Sequence, residues 1–165
     1  MLAGLTQSYT QSGTSGTAVV ETMVERFNGT NYNYGNWNDT DDCWICPANG
    51  FYKITGAIRG GSQSTDKLTR LSVAITKYNS GGSLVEDIAF SGLDLHTETS
   101  SEADVITANT TTIIYLTALE RIKLRVNWVL TSGSLSVGGS GGNSGGSERP
   151  EKTYLMVERI IKGTF

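Results

Sequence analysis

Alternation of apolar and polar residues is the dominant pattern along this chain. Between Arg121 and Trp128 every second residue is apolar, and arginine, lysine or asparagine stands between them. Because successive side chains of a β-strand point to opposite faces, this spacing predicts a strand with one face in a core and the other in solvent. The segments that begin at Phe51 and Arg70 alternate in the same way. Further strands are predicted to begin near Thr17, Ser83, Thr110, Ser134 and Lys152.

The segments between these strands are rich in glycine, serine, threonine and asparagine, which favour turns. A helical repeat of apolar residues is almost absent. About eight short strands separated by such turns predict an all-β sandwich or barrel. With 165 residues, of which 38% are hydrophobic, one packed core is expected.

Two of the predicted strands are apolar on both faces, which is unusual for a sheet that exposes one side to water. Residues 113–116 and residues 154–157 are all aliphatic or aromatic. The second face needs cover, either from the other sheet or a loop, or from another copy of the chain. An interface between copies is the favoured interpretation. The candidate interface residues are Tyr115, Ile113, Tyr154, Met156, Leu155 and Val157.

Two segments fall outside the predicted strands. Residues 1–16 are polar and have no period, so they are predicted to form an N-terminal arm that lies along a neighbouring protein. The remaining residues, 17–165, are predicted to form one domain. Within it, residues 138–147 (GGSGGNSGGS) have the composition of a flexible linker and are expected to form a loop.

Charge and targeting signals narrow the choice of partner and location. The formal net charge of -3 does not favour nucleic-acid binding. The N-terminus lacks the basic region and the apolar core of a secretory signal. No run approaches the roughly 20 apolar residues that a membrane-spanning helix needs. We therefore expect a protein that is made in the cytoplasm and contacts neither nucleic acid nor membrane.

Three segments taken together resemble a known family. CPANGFYKITGAIRG, RLSVAITKYNSG and TYLMVERI, in that order, are similar to strands of the trimeric jelly-roll domain of the complement globular head and tumour necrosis factor superfamily, above all to its bacterial and phage members. Pro47 and Gly50 precede the aromatic start of a strand, as in the family. In a later turn the family often has a glycine and an acidic residue, whereas this chain has Glu120 and Arg121. The resemblance implies a jelly-roll sandwich of two antiparallel sheets that forms a homotrimer about a threefold axis.

The residues that usually perform catalysis are scarce. His96 is the single histidine, which removes most acid–base, nucleophilic and zinc-binding arrangements. Cys43 and Cys46 lack the helix start of a redox pair and the further ligands of a zinc site, so a structural role is predicted for both thiols. No enzymatic activity, cofactor or metal is therefore expected.

Two charged features leave alternatives open. Asp39, Asp41 and Asp42 could ligate calcium, but they lack the spacing of an EF-hand loop, and a solvated loop is favoured. The three basic residues from Arg121 to Arg125 share one face of their strand. This basic stripe is predicted to be a solvated face, with docking on an acidic partner as the alternative.

The stretch NGTNYNYGNWND gathers aromatic residues among asparagines and glycines. This composition is typical of loops that recognise proteins or glycans by stacking and hydrogen bonding. A surface loop that tucks its aromatic rings onto the sandwich is the alternative. The residues of the possible recognition loop are Tyr32, Tyr34 and Trp37.

The leading functional prediction is a virion structural protein of a tailed phage. It would be a homotrimeric capsid decoration, cement or head-fibre subunit that docks through residues 1–16 and stabilises the particle. Its partners would be copies of itself and the major capsid or other virion proteins. One alternative is a receptor-binding head of a tail fibre that contacts a host glycan, and another is a secreted ligand or lectin of the complement type.

Overall fold

The computed structural model describes residues 2–5, 9–21, 23–25, 36–62, 68–94, 105–138 and 153–160. These residues form thirteen β-strands and contain no helix. The strands are β1 (Leu2–Leu5), β2 (Tyr9–Gln11), β3 (Ser15–Val19), β4 (Met23–Glu25), β5 (Trp37–Asn38), β6 (Cys43–Ile45), β7 (Gly50–Ser62), β8 (Leu68–Tyr78), β9 (Leu84–Asp94), β10 (Val105–Leu116), β11 (Arg121–Leu130), β12 (Leu135–Val137) and β13 (Tyr154–Ile160). The all-β class predicted from the alternation is confirmed.

Two antiparallel sheets make up the described fold. Sheet I has seven strands in the order β2-β12-β7-β13-β1-β4, with β10 along the other edge of β7. Sheet II has six strands in the order β5-β6-β11-β8-β9, with β3 also paired to β11. β10 of sheet I and β9 of sheet II are thus each at an edge of their sheet among the described residues, and they lie next to each other on one side of the sandwich. The predicted pair of antiparallel sheets is confirmed.

Side chains of alternate residues fill the space between the sheets. In β11 the even-numbered residues from Ile122 to Leu130 are buried, and the odd-numbered residues are more exposed. From sheet I, β7 contributes Tyr52, Ile54 and Ile58 to the same core. From sheet II, β8 contributes Leu71, Val73 and Ile75. The alternation therefore identified the core face of each of these three long strands correctly.

Two glycines allow the sheets to approach each other closely. A Cβ at Gly56 would lie 2.4 Å from Leu124 Cδ1, and a Cβ at Gly60 would lie 3.0 Å from Leu71 Cδ1. The side chains of sheet II thus pack directly on the backbone of β7. These contacts also set the height of one sheet against the other, since Gly56 is level with Ile75 of β8.

The N-terminal residues belong to the sandwich. Leu2–Leu5 is a strand of sheet I that pairs with β13 on one side and β4 on the other. Ala3 and Leu5 are fully buried. Two further short strands within residues 9–19 pair with β12 and β11. The expected polar arm over residues 1–16 is thus corrected, because pairing and burial hold its described residues against the chain's own core.

Part of the predicted loop and the single histidine are not among the described residues. Gly138 follows β12 with a φ of 79°, a left-handed conformation that favours glycine. Residues 139–147 of the Gly/Ser-rich segment and His96 lie outside the described ranges.

Candidate assembly surface

Large apolar side chains group at one end of the outer face of sheet I. This face cluster consists of Phe51, Ile113, Tyr115 and Ile160, each between 43% and 62% exposed. The strand register explains the grouping, because both Tyr115 and Ile160 pair with Phe51. The rings of Phe51 and Tyr115 contact each other edge to face, with their centroids 5.3 Å apart.

The opposite face of the same strands explains why these residues are exposed. Tyr52 and Leu116 lie between the sheets and are fully buried, so their neighbours Phe51 and Tyr115 must point outward. The Tyr52 hydroxyl donates to the carbonyl oxygen of Ala48 at 2.6 Å, which holds the ring in the core. The face cluster is therefore surplus apolar surface that the core of one chain cannot cover.

The middle of this face is polar. Lys53 Nζ lies 3.6 Å from Glu158 Oε2, and the hydroxyl groups of Thr55 and Thr111 are 3.0 Å apart. Both members of the ion pair are about half exposed, so it contributes little to stability. Beyond this band, Met156 and Tyr154 lie half-buried on the same face.

The six predicted interface residues divide between two faces. Ile113 and Tyr115 belong to the face cluster, and Tyr154 and Met156 lie on the same outer face of sheet I. Leu155 and Val157 are 0% and 4% exposed and belong to the core. These two expectations are corrected, because pairing of Leu155 with Gly56 turns both side chains inward. Phe51 and Ile160 were missed as interface candidates, although Phe51 directly precedes the core residue Tyr52 in its strand.

Further exposed apolar side chains lie along the edge strand β9, on both of its faces, because Phe90 pairs with Ala74 and Leu93 pairs with Leu71. The exposed apolar residues, which we call the edge strip, are Leu84, Val85, Phe90 and Leu93, each between 43% and 61% exposed. β9 is hydrogen-bonded only to β8, so its other edge has no hydrogen-bonded strand among the described residues. The register with β8 shifts at two places. Shifts of this kind hinder uncontrolled strand addition, but they leave the apolar side chains exposed.

The basic stripe on the outer face of sheet II already has partners within the chain. Arg121 lies 2.9 Å from Asp41, and Arg125 lies 3.3 Å from Asp87. Lys123 Nζ is 5.3 Å from the centre of the Tyr78 ring. The Arg125–Asp87 pair spans β8 from β11 to β9. These contacts pair the basic stripe within the chain, and solvation of this face stays a prediction.

The aspartates of the turn after β5 are engaged in local hydrogen bonds. Asp42 Oδ1 accepts from the backbone N–H of Met23 at 3.0 Å, and Asp41 accepts from Asn38 Nδ2 at 3.1 Å as well as from Arg121. Among the described residues, no group of three or more His, Cys, Asp or Glu side chains could hold a metal ion. The described contacts thus assign Asp41 and Asp42 to the turn and provide no support for the calcium alternative.

Trp37 is the one residue of the possible recognition loop that the structure describes. It pairs with Trp44, and its indole N–H donates to the Met23 carbonyl oxygen at 3.1 Å. The side chain is half-buried. Tyr32 and Tyr34 lie outside the described residues.

Both cysteines are buried free thiols. Cys46 Sγ donates to the Ala48 carbonyl oxygen at 3.2 Å, the same oxygen that binds Tyr52. Burial raises the pKa of the Cys43 thiol and that of the Cys46 thiol. The raised pKa of each thiol disfavours the reactive thiolate and agrees with a structural role.

Comparison with known proteins identifies the fold. No protein-family model and no curated protein matches this chain. A solved structure described as "Structure of Eiger TNF from S. frugiperda" matches with a TM-score of 0.64 and 13% sequence identity, over 100% of this chain and 95% of that chain. The TNF-like jelly-roll fold implied by the sequence resemblance is therefore supported. No helix in the described part of the chain is long and apolar enough to span a membrane.

Proposed function

We propose that this chain is a non-enzymatic binding module that assembles as a homotrimer, in which the edge strip of one copy covers the face cluster of the next. The observation that carries the proposal is the collection of exposed large apolar side chains into these two surfaces. The TNF-like fold and the family resemblance support the trimeric state. The single histidine of the sequence supports a role without catalysis.

Covering these surfaces would supply free energy of the same order as the cost of association. Each residue of the face cluster and the edge strip leaves about half of its side chain in water. Covering one such side chain gains on the order of 1 kcal/mol. The four residues of the face cluster, together with Leu84 and Val85 at the same height, would contribute on the order of 6 kcal/mol before the cost of association is subtracted.

Two different surfaces on one chain favour a ring over a dimer. A twofold dimer joins a surface to itself, so pairing face cluster with face cluster would leave the edge strip exposed. A head-to-tail contact between face cluster and edge strip uses both surfaces of every copy. Closure of that contact after three copies leaves no face cluster in water.

The heights of the two surfaces along the strands agree with this arrangement. Gly56 is level with Ile75, and β8 continues from there to Tyr78, which pairs with Leu84. The edge strip therefore begins at the same end of the sandwich as Phe51. Because rotation about an axis along the strands keeps every residue at its height, Leu84 of one copy would meet the face cluster of the next.

Light scattering of the purified full chain during size-exclusion chromatography tests the proposal. We expect a mass three times the 17.7 kDa of one chain. Ile113→Asp should give a folded monomer, because it places a charge in the face cluster. Val129→Asp is the matched control, since Val129 is an exposed apolar strand residue on the outer face of sheet II. A monomeric wild-type chain at micromolar concentration would refute the proposal.

The place where the trimer acts is proposed from the sequence. The leading proposal places the trimer on the surface of a phage particle. There the three subunits of one trimer would bind the shell at the same time, so three modest affinities would combine into tight binding. Electron micrographs of particles with and without the protein would then differ by added density. Unchanged particles, together with binding to a glycan array, would favour the receptor-binding head instead.

A further inference from the structure

One arginine on the outer face of sheet I has no carboxylate partner among the described residues. Arg59 lies in β7, pairs with Thr107 and is half-buried. Its Nε is buried and has no hydrogen-bond partner. No ion pair is found for Arg59 among the described residues. The side chain as a whole is only half-buried, so its guanidinium group can bind a carboxylate supplied by another molecule.

The other described lysines and arginines have partners within the chain. Each contacts a carboxylate, an aromatic ring or a carbonyl oxygen. The pairs are Lys53–Glu158, Arg70–Asp94, Lys77–Glu86, Arg121–Asp41, Arg125–Asp87, Lys123–Tyr78 and Arg159–Asn49. The described contacts within one chain therefore do not explain why an arginine stands at residue 59.

Asp94 lies at the same height as Arg59 on the opposite sheet. A Cβ at Gly60, the residue after Arg59, would lie 3.0 Å from Leu71 Cδ1. Leu71 pairs with Leu93, the residue before Asp94. Arg59 and Asp94 therefore occupy the same end of the sandwich, Arg59 on the outer face of sheet I and Asp94 at the end of the edge strand β9.

The carboxylate of Asp94 can accept a second cation. Its side chain is 75% exposed, and its partner within the chain is Arg70, with Nε 2.5 Å from Oδ1. A carboxylate has about four lone-pair sites and can bind more than one donor group. The Asp94 side chain is therefore open to a guanidinium that approaches along the edge of β9.

We propose that, in the homotrimer, Arg59 of one copy binds the carboxylate of Asp94 of the next copy and so fixes the height at which the two copies meet. This inference rests on the proposed function. Rotation about an axis along the strands brings the face of sheet I against the β9 edge of a neighbour and keeps both residues level. A charge pair of this kind mainly provides register and specificity, while the apolar surfaces provide most of the affinity.

Charge exchange in the full chain tests the pair. The trimer dissociation constant would be measured by sedimentation equilibrium over a dilution series. Arg59→Glu and Asp94→Arg should each weaken the trimer about tenfold or more, and the double variant should return to within about threefold of the wild type. Arg59→Gln removes the charge with less disturbance of the fold. Lys123→Glu, on the outer face of sheet II, is the matched control and should leave the constant unchanged.

Failure of this inference can be told apart from failure of the proposed function. A monomeric wild-type chain would overturn both. A trimeric wild type whose dissociation constant does not change with Arg59→Glu or Arg59→Gln would overturn the inference alone. Single variants that weaken the trimer, combined with a double variant that does not recover, would show that Asp94 is not the acceptor. Circular dichroism of every variant confirms that the comparison is between folded proteins.

Discussion

The close approach of the two sheets at Gly56 allows a quantitative test of the fold. A Cβ at this position would lie 2.4 Å from Leu124 Cδ1 and 3.2 Å from Ile75 Cγ1, and both of those side chains are buried. Ordinary contacts between carbon atoms are about 3.5–4.0 Å. A methyl group at residue 56 therefore requires a shift of about 1 Å in a packed core, and overpacking of this kind costs about 1–3 kcal/mol.

The sign and size of the effect follow from two opposing contributions. Alanine in a strand is more favourable than glycine by about 0.5–1 kcal/mol, so Gly56→Ala should lower the free energy of unfolding by about 1 kcal/mol in total. Gly56→Val should lower it by about 3 kcal/mol, because two further methyl groups enter the same space. Gly60→Ala should have a smaller effect, since its nearest atom would be 3.0 Å away. Gly50→Ala is the matched control in the same strand, because its nearest neighbour is the movable Arg159 side chain.

Urea unfolding followed by tryptophan fluorescence measures these differences. All variants must be compared at one protein concentration, because association shifts the apparent stability. The expected order of stability is wild type and Gly50→Ala, then Gly60→Ala, then Gly56→Ala, then Gly56→Val. A Gly56→Ala variant at least as stable as the wild type, alongside a destabilised Gly60→Ala, would refute the packing described for β7.

Two further predictions concern a tryptophan and the buried thiols. Trp128→Phe should lower the free energy of unfolding by about 1–3 kcal/mol. The substitution removes the indole N–H donation to the Gly13 carbonyl oxygen at 3.1 Å and the ring packed on Gly16. Unchanged urea unfolding would contradict this prediction. Burial raises the folded-state pKa of Cys43 and Cys46 above 9.0, so the stability contributed by the protonated thiols is complete below about pH 9 and is lost as pH rises through the folded-state pKa. The urea midpoint should therefore fall as the pH rises above about 9, and it should fall less in a variant with both cysteines replaced by alanine. An equal fall in both proteins would contradict this cause.

Local alternation was sufficient to predict the long strands. β11 was predicted correctly because one of its faces is buried along the whole strand, so every second residue lies in the core. For β13 the local sequence pattern is not sufficient. Tyr154 to Val157 are apolar on both faces, and only pairing with β7 decides that Leu155 and Val157 face the core. That pairing joins residues about a hundred positions apart, so no local pattern contains it.

The short N-terminal strand and the assembly surfaces depend on topology in the same way. Leu2–Leu5 is too short for a period to be visible, and its burial results from its place between β13 and β4. The apolar residues of β9 resemble those of any half-buried strand. Their exposure results from the position of β9 at the edge of sheet II. Arg59 likewise has no signal in the sequence, because the lack of an acceptor for its Nε among the described residues is visible only once its neighbours are known.

Folding and association are separable in this architecture. The core between the sheets is complete within one chain, and its buried apolar residues are at most 4% exposed. The face cluster and the edge strip lie on surfaces that this core does not use. A charge introduced at Ile113 should therefore remove the trimer while leaving the unfolding midpoint of the isolated chain nearly unchanged, because surface substitutions outside a core usually change stability by no more than about 0.5 kcal/mol. If Ile113→Asp instead unfolds the chain, the outer face of sheet I contributes to folding itself, and the division between core and assembly surface would have to be abandoned.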